Sequence, residues 1–181
     1  MKTLNEIYEN YKGPEGHGDK GTAHTYIDVY EELLKPYRDN GSILEIGIYL
    51  GHSLRMWREY FKTGIVAGSD ITIFPSAQDL LIDDNYKIFH WDATREDFPN
   101  ELGDLKFDVI VDDGSHIIQD QIKSFNLLKH KINPGGVYVI EDVNGIDQFQ
   151  NDFKSLHSNC DIIDNRHIKG RFDDVLIIYK F

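Results

Sequence analysis

Two hydrophobic rhythms alternate along this chain. Residues 22–38 place Ile27, Tyr30, Leu33, Leu34 and Tyr37 on one helical face. "SILEIG" (42–47) is a short buried strand, and "SLRMWREYF" (53–61) is a helix with Leu54, Trp57 and Phe61 turned inward. "GIVAGSD" (64–70) and "YKIFHWD" (86–92) are strands. "FDVIVDD" (107–113) is a strand without alternation, which predicts burial on both faces. Residues 117–132 are helical, with Ile118, Ile122, Phe125 and Leu128 in phase, and "NPGG" stops them. "VYVIED" (137–142) is the next strand, followed by a helix in "GIDQFQNDFKSLH", a weak strand "CDIID" and a terminal strand "DVLIIYKF". Strand and helix in alternation predict an α/β fold, a doubly wound and mostly parallel sheet covered on both faces. Residues 1–21 follow neither rhythm and are expected to be a leader or a lid, ahead of a single domain over 22–181.

In such a sheet, ligands bind at the carboxyl ends of the strands. That edge collects acids: Glu45, Asp70, Asp92, the pair Asp112–Asp113 and the pair Glu141–Asp142. Some acids cap following helices. Four successive strands and a fifth all ending in acids ask for more than capping.

The turn after the first strand, "EIGIYLGHS", decides which ligand fits. It lacks the Lys-Ser/Thr end of a P-loop, and Tyr49 stands where a dinucleotide fingerprint needs its second glycine. A pyrophosphate needs open backbone amides, so NAD and ATP are disfavoured. Glu45 would repel a phosphate and attract a cation. An ammonium and a sulfonium on one ligand suit it, which points to S-adenosylmethionine (SAM). Asp70 is placed to accept ribose hydroxyls and Asp92 the adenine amino group.

Composition narrows the partners. The 181 residues carry 19 basic and 31 acidic side chains, a net charge of −12, which argues against nucleic acid or an anionic membrane as the main partner. With 40% hydrophobic residues the chain has enough apolar material for a core, and its one cysteine, Cys160, allows no internal disulfide. No apolar signal core or membrane-length run is present, so a cytoplasmic protein is expected.

The stretches "DKGTAHTYIDVYEELL", "ILEIGIYLGHSLRMWREYF", "GSDI", "FDVIVDDGSH", "QIKSFNLL" and "NPGGVYVIEDV" together resemble the class I SAM-dependent methyltransferases. Within that class they are similar to the metal-dependent O-methyltransferases of macrolide deoxysugars, the macrocin and mycinamicin type. The resemblance implies a seven-stranded Rossmann-like methyltransferase fold with a terminal antiparallel strand. It implies cofactor contacts from Glu45, Gly47, Tyr49, Gly51 and Ser53 around the first turn, Asp70 with Ile71, Asp92 with Ala93, and Asp112. Trp91 is a second candidate beside the adenine, or a plain buried strand residue.

If the two acid pairs end neighbouring strands, their carboxylates converge. Two carboxylates ~4 Å apart repel by roughly 4 kcal/mol at an effective dielectric near 20. A proton, an Arg or Lys, or a divalent cation must offset this, and neither motif contains a basic residue. Oxygen donors with open positions suit Mg²⁺. The resemblance implies Asp113, Glu141 and Asp142 as its ligands, with Asp112 facing the cofactor or supporting the turn. A sugar hydroxyl is a weak acid, and the resemblance makes His116 the base that deprotonates it; the other reading of His116 is a cap on the helix starting at Ile117. His17, Lys20, Thr22, His24 and Tyr26 belong either to a lid over the site or to a leader and a helix cap.

The expected function is therefore SAM- and Mg²⁺-dependent O-methylation of a sugar or glycosylated small molecule. A catechol-type O-methyltransferase and a non-catalytic SAM-binding module are the alternatives, and an iron oxygenase is disfavoured because the motif holds one histidine, not two. The acid motif runs directly into "VNGIDQFQNDF", without the longer insertion many such enzymes carry, so a free or lipid-linked sugar or a polysaccharide end joins the candidate acceptors. The expected partners are a small-molecule or glycan acceptor, with no nucleic acid and no membrane; homo-oligomerisation is left open.

Overall fold

The structure, a computed structural model, describes residues 2–12 and 18–181. Seven strands form one sheet: β1 (Ile43–Ile46), β2 (Val66–Asp70), β3 (Tyr86–His90), β4 (Phe107–Asp112), β5 (Ile132–Ile140), β6 (Cys160–Asp164) and β7 (Val175–Lys180). Their order is β3-β2-β1-β4-β5-β7-β6. The first five pair in parallel, and β7 runs antiparallel to both its neighbours. The strand pattern predicts a doubly wound, mostly parallel sheet, and the family resemblance implies its seven strands and terminal antiparallel strand; the structure has both.

Alternate residues of each strand feed two cores. Ile43, Val66, Val109 and Val139 pack with α1 (Leu4–Tyr8), α2 (Ile27–Leu34) and α3 (His52–Tyr60). Leu44, Ala67, Ile110 and Ile140 pack on the other face with α6 (Ile118–Leu128) and α7 (Ile146–Leu156). Three further single turns of helix occur: α4 (Pro75–Gln78), α5 (Phe98–Glu101) and α8 (Arg166–Lys169). Trp57, Phe61, Tyr30 and Phe125 are fully buried, and burying side chains of this size stabilises by about 1.5–3 kcal/mol each.

Three local details depart from the sequence expectation. Residues 1–21 were expected to lack regular structure, yet Leu4–Tyr8 is a helix started by a Thr3–Glu6 capping box, with Leu4, Ile7 and Tyr8 buried. One turn is too short to register as periodicity. The helix expected from residue 22 begins at Ile27, because the amides of Thr22, Ala23 and His24 all turn back onto the Asp19 carbonyl. "NPGG" does not precede β5 but lies within it, beside a register shift between Phe107 and Val109.

Register explains why the acids meet. Ile46 pairs with Asp112, and Asp112 with Ile140. The next residues, Gly47, Asp113 and Glu141, therefore leave the sheet side by side. The Asp113 amide donates to the Ile46 carbonyl and the Glu141 amide to the Asp112 carbonyl, both at 2.9 Å.

Candidate active site

The edge opens into two cavities, of about 480 and 300 Å³, that share Gly47, Asp70 and Gly114. Gly47 has φ 81°, and a Cβ there would lie 1.9 Å from the Asp113 carbonyl oxygen, so only glycine lets the turn approach β4 this closely. Asp70 holds the turn from the other side. Its Oδ2 accepts the Ile48 and Tyr49 amides at 2.9 and 3.0 Å, and its Oδ1 accepts the Thr72 amide at 3.0 Å. Asp92 likewise accepts the Thr94 amide and hydroxyl, at 2.8 and 2.7 Å.

Of the residues expected at the cofactor, Gly47, Tyr49, Ser53 and Asp70 line the larger cavity. Asp70, Ile71, Asp92, Ala93 and Asp112 line the smaller one, with Trp91. Glu45 and Gly51 line neither. Glu45 is fully buried and accepts the Trp57 indole Nε1–H at 3.1 Å, so it faces the protein interior rather than a ligand. Gly51 is the left-handed residue before α3, packed against Ala77. Asp112 is buried, with the Gly114 amide at 3.3 Å and the Tyr138 hydroxyl at 3.4 Å; burial pushes its pKa up to about 7.

The paired acids end against a cation that no motif announces. The Lys20 ammonium lies 2.7 Å from Glu141 Oε2, 2.8 Å from Asp113 Oδ2 and 3.1 Å from Glu45 Oε1, and the side chain is almost fully buried. Burial alone would lower its pKa, but Asp113, Glu141 and Glu45 lift it well above the ordinary lysine value. Asp113 shows the converse: burial raises its carboxyl, and Lys20 with His116 outweigh that and lower it. Glu141 is raised well above the usual carboxylate range by burial, against the pull of Lys20. Its other oxygen accepts the Tyr30 hydroxyl.

Asp142 sits apart from Lys20. Its Oδ1 accepts the Tyr26 hydroxyl at 2.9 Å and lies 3.3 Å from His24 Nδ1. His116 Nε2 lies 3.1 Å from Asp113 Oδ1 and 3.8 Å from Asp142 Oδ2. It does not cap α6, whose first turn has no side-chain cap. Both His116 and Asp142 adopt left-handed backbone, φ 57° and 54°, an uncommon conformation for residues with a Cβ and one that costs roughly 1–2 kcal/mol. The Asp113 hydrogen bond, opposed by partial burial, raises the His116 pKa.

Asp113, His116 and Asp142 each offer a ligand atom within 4.8 Å of the others; the expected set of Asp113, Glu141 and Asp142 is thus split, with Glu141 turned onto Lys20. A second group within the same limit, Asp19, His24 and Asp142, shares Asp142. The donor set fits a hard divalent cation. Glu45, Asp113 and Glu141 surround one ammonium, Asp142 adds a further carboxylate beside His116, and the Asp113–Asp142 side is partly open. Lys20 and Tyr30 were not readable as partners of the acids, since they lie 93 to 121 positions from Asp113 and Glu141 in the chain. His17 lies outside the described residues.

Strand order, glycine turn and acid edge define the class: a Rossmann-like methyltransferase fold. A family model described as a methyltransferase domain matches residues 44–143, more than half the chain, and the protein belongs to that family. It is 36% identical over 141 residues to the 8-demethyl-8-alpha-L-rhamnosyl tetracenomycin-C 2'-O-methyltransferase of Streptomyces olivaceus, covering 70% of this chain and 35% of that one. It is 33% identical over 156 residues to the demethylmacrocin O-methyltransferase of Streptomyces fradiae, covering 77% and 36%. The chain thus spans about a third of the length of these curated relatives. Among solved structures, a methyltransferase of the mycinamycin biosynthetic pathway in complex with Mg, SAH and mycinamycin VI superimposes with a TM-score of 0.75, at 22% identity, over 99% of this chain and 54% of that one. Among the described residues, no helix is long and apolar enough to cross a membrane.

Proposed function

We propose that this chain carries a SAM- and Mg²⁺-dependent O-methyltransferase activity toward a hydroxyl of a sugar or glycosylated small molecule. One observation carries the reading: His116, Asp113, Gly47 and Asp70 line one cavity, so a proton acceptor and a cation-binding acid face the cofactor turn. The relatives named above support the acceptor class, and the solved relative's Mg and SAH support the two cofactors. When bound, SAM supplies the methyl group and Mg²⁺ acidifies the accepting hydroxyl.

The chain's own residues do the rest. Asp70, by fixing the Ile48 and Tyr49 amides, shapes the turn that joins the two cavities. The smaller cavity takes the adenosine half of SAM beside Asp92 and Trp91, and the larger takes the amino-acid half under Tyr8, Tyr11 and Lys20. Asp113 and Asp142 would hold the cation. His116 cannot both ligate it and accept a proton, and its exposed ring suits the second task. The tautomer that donates Nε2–H to Asp113 Oδ1 leaves Nδ1 as the proton acceptor.

The test is transfer of a labelled methyl group from SAM to a panel of rhamnosides, macrolide glycosides, free sugars and catechols, with Mg²⁺ and with chelator. Transfer to a glycoside that chelator abolishes and Mg²⁺ restores is the expected result. Transfer to catechols alone would move the acceptor to the aromatic diols, and transfer that survives exhaustive chelation would remove the metal from the reading.

A further inference from the structure

Lys20 is the one cation among the described residues that reaches Glu45, Asp113 and Glu141 together. It arrives on a fixed backbone. The Tyr26 amide donates to the Lys20 carbonyl at 2.8 Å. Lys169 Nζ donates to the carbonyls of Gly21, Thr22 and His24 at 2.7–2.9 Å. Thr25 is tied through its amide and hydroxyl to Asp174, at 3.1 and 3.0 Å. The ammonium is therefore delivered to a set place.

That place has a consequence for any cation entering the cluster. Three carboxylates from three neighbouring strands converge within 3.1 Å of the Lys20 nitrogen. Emptied of the ammonium, this gap would present three carboxyl groups to a cation, against two beside His116. It is also the deeper site: Glu45 beneath it is fully buried and Glu141 nearly so, whereas the His116 ring is exposed to the larger cavity.

We infer that Lys20 is a positioning residue for the divalent cation: by holding Asp113 Oδ2 and Glu141 Oε2 it closes the inner gap and confines the ion to the Asp113 Oδ1–Asp142 side, next to His116. The inference rests on the metal-dependent reading above and adds to it a residue that acts on the ion through the ligands' geometry. It also gives the segment before α2 a task, the delivery of that charge.

The test is Mn²⁺ binding to the metal-free protein, read from the electron paramagnetic resonance signal of the free ion, in the unmodified protein, Lys20→Met and Lys20→Arg. Removing one positive charge beside the ion's ligands is expected to tighten Mn²⁺ binding roughly tenfold or more in Lys20→Met. The turnover number falls in the same variant, because the ion settles away from His116. Lys20→Arg, which keeps the charge, binds Mn²⁺ as the unmodified protein does. A salt bridge that only stabilises the fold predicts a lower melting temperature with unchanged or weaker Mn²⁺ binding, and that result overturns the inference while leaving the metal-dependent reading intact. An unmodified protein that leaves Mn²⁺ free while Lys20→Met binds it contradicts the metal-dependent reading but upholds the exclusion by Lys20. Should Lys20→Met fail to fold, Lys169→Met, an exposed substitution that frees the Gly21, Thr22 and His24 carbonyls, is expected to tighten Mn²⁺ binding in the same direction; no tightening there overturns the inference.

Discussion

The acids on the sheet edge fall into two regions that solve the same electrostatic problem differently. On the β2–β3 side, Asp70 and Asp92 are satisfied by backbone amides within about one turn or one strand crossover: Ile48, Tyr49, Thr72 and Thr94. On the far side, Asp113 and Glu141 are satisfied by Lys20 and Tyr30, from the opposite end of the chain. Hydrogen bonds to amides shape a turn and leave a cleft. A buried charge against several carboxylates leaves a surplus of negative charge, which a divalent cation can enter. The first arrangement shapes a cleft; the second concentrates charge.

Substitutions on the two sides should therefore fail in different ways. The largest effect on rate is expected from His116→Ala, a loss of about a hundred- to ten-thousand-fold in kcat, with SAM affinity and melting temperature little changed. Near-normal turnover in that variant would show that the cation alone activates the hydroxyl. Asp113→Asn should also abolish most turnover and weaken Mn²⁺ binding while SAM still binds in calorimetry. Asp70→Ala should do the reverse. Three backbone amides lose their acceptor, and leaving such groups unpaired costs roughly 1–3 kcal/mol each where they are buried. Its signature is weakened SAM binding and a lower melting temperature with Mn²⁺ affinity retained.

Two smaller effects separate the regions by pH. The His116 pKa is raised by its hydrogen bond to Asp113, so in the metal-free protein its NMR titration should lie above the ordinary value of about 6.5. The stability this pair contributes is present below the unfolded pKa and is lost as pH rises through the folded one. Asp113→Asn should return the titration toward the ordinary value. Asp112 behaves differently, because burial raises its pKa to about 7 against the hydrogen bonds of the Gly114 amide and the Tyr138 hydroxyl. Its neutral form suits the folded protein, so stability is present below the usual carboxylate pKa and is lost as pH rises through about 7. Asp112→Asn should raise the melting temperature most at pH 8, less at pH 5 and least below pH 4, with each kcal/mol worth about 2–4 °C at this chain length. Equal shifts at all these pH values would mean that Asp112 is not a strained buried carboxyl.

The same division governs what the sequence shows. The strands, the glycine turn and the acids at strand ends are local patterns. Runs without alternation such as 109–111 read as strands because both faces are buried, and Gly47 reads as a turn because few residues tolerate its backbone. The acids on the β2–β3 side bond to amides two positions away or one strand crossover away, and their placement follows from the fold. The charge balance of the acid pairs does not. Lys20 reaches Glu141 from 121 positions away, and nothing in "DKGTAH" states which acids its ammonium meets. Glu45 illustrates the limit. Its position at the end of β1 suggests a ligand contact, but a four-residue strand turns its side chain under the turn, toward Trp57 and Lys20. The helix Leu4–Tyr8 is equally silent, since a single turn shows no period, although its capping box is written in Thr3 and Glu6.

If Lys20 positions the ion, the acid cluster is divided, with the ammonium on one side and a divalent cation on the other, beside His116. An anomalous difference map from a crystal soaked in Mn²⁺ tests this most directly. The predicted result is one peak in reach of Asp113 Oδ1 and Asp142, with the Lys20 ammonium still on Glu141. A peak in the place of that ammonium, or no peak in the cluster at saturating Mn²⁺, would contradict it.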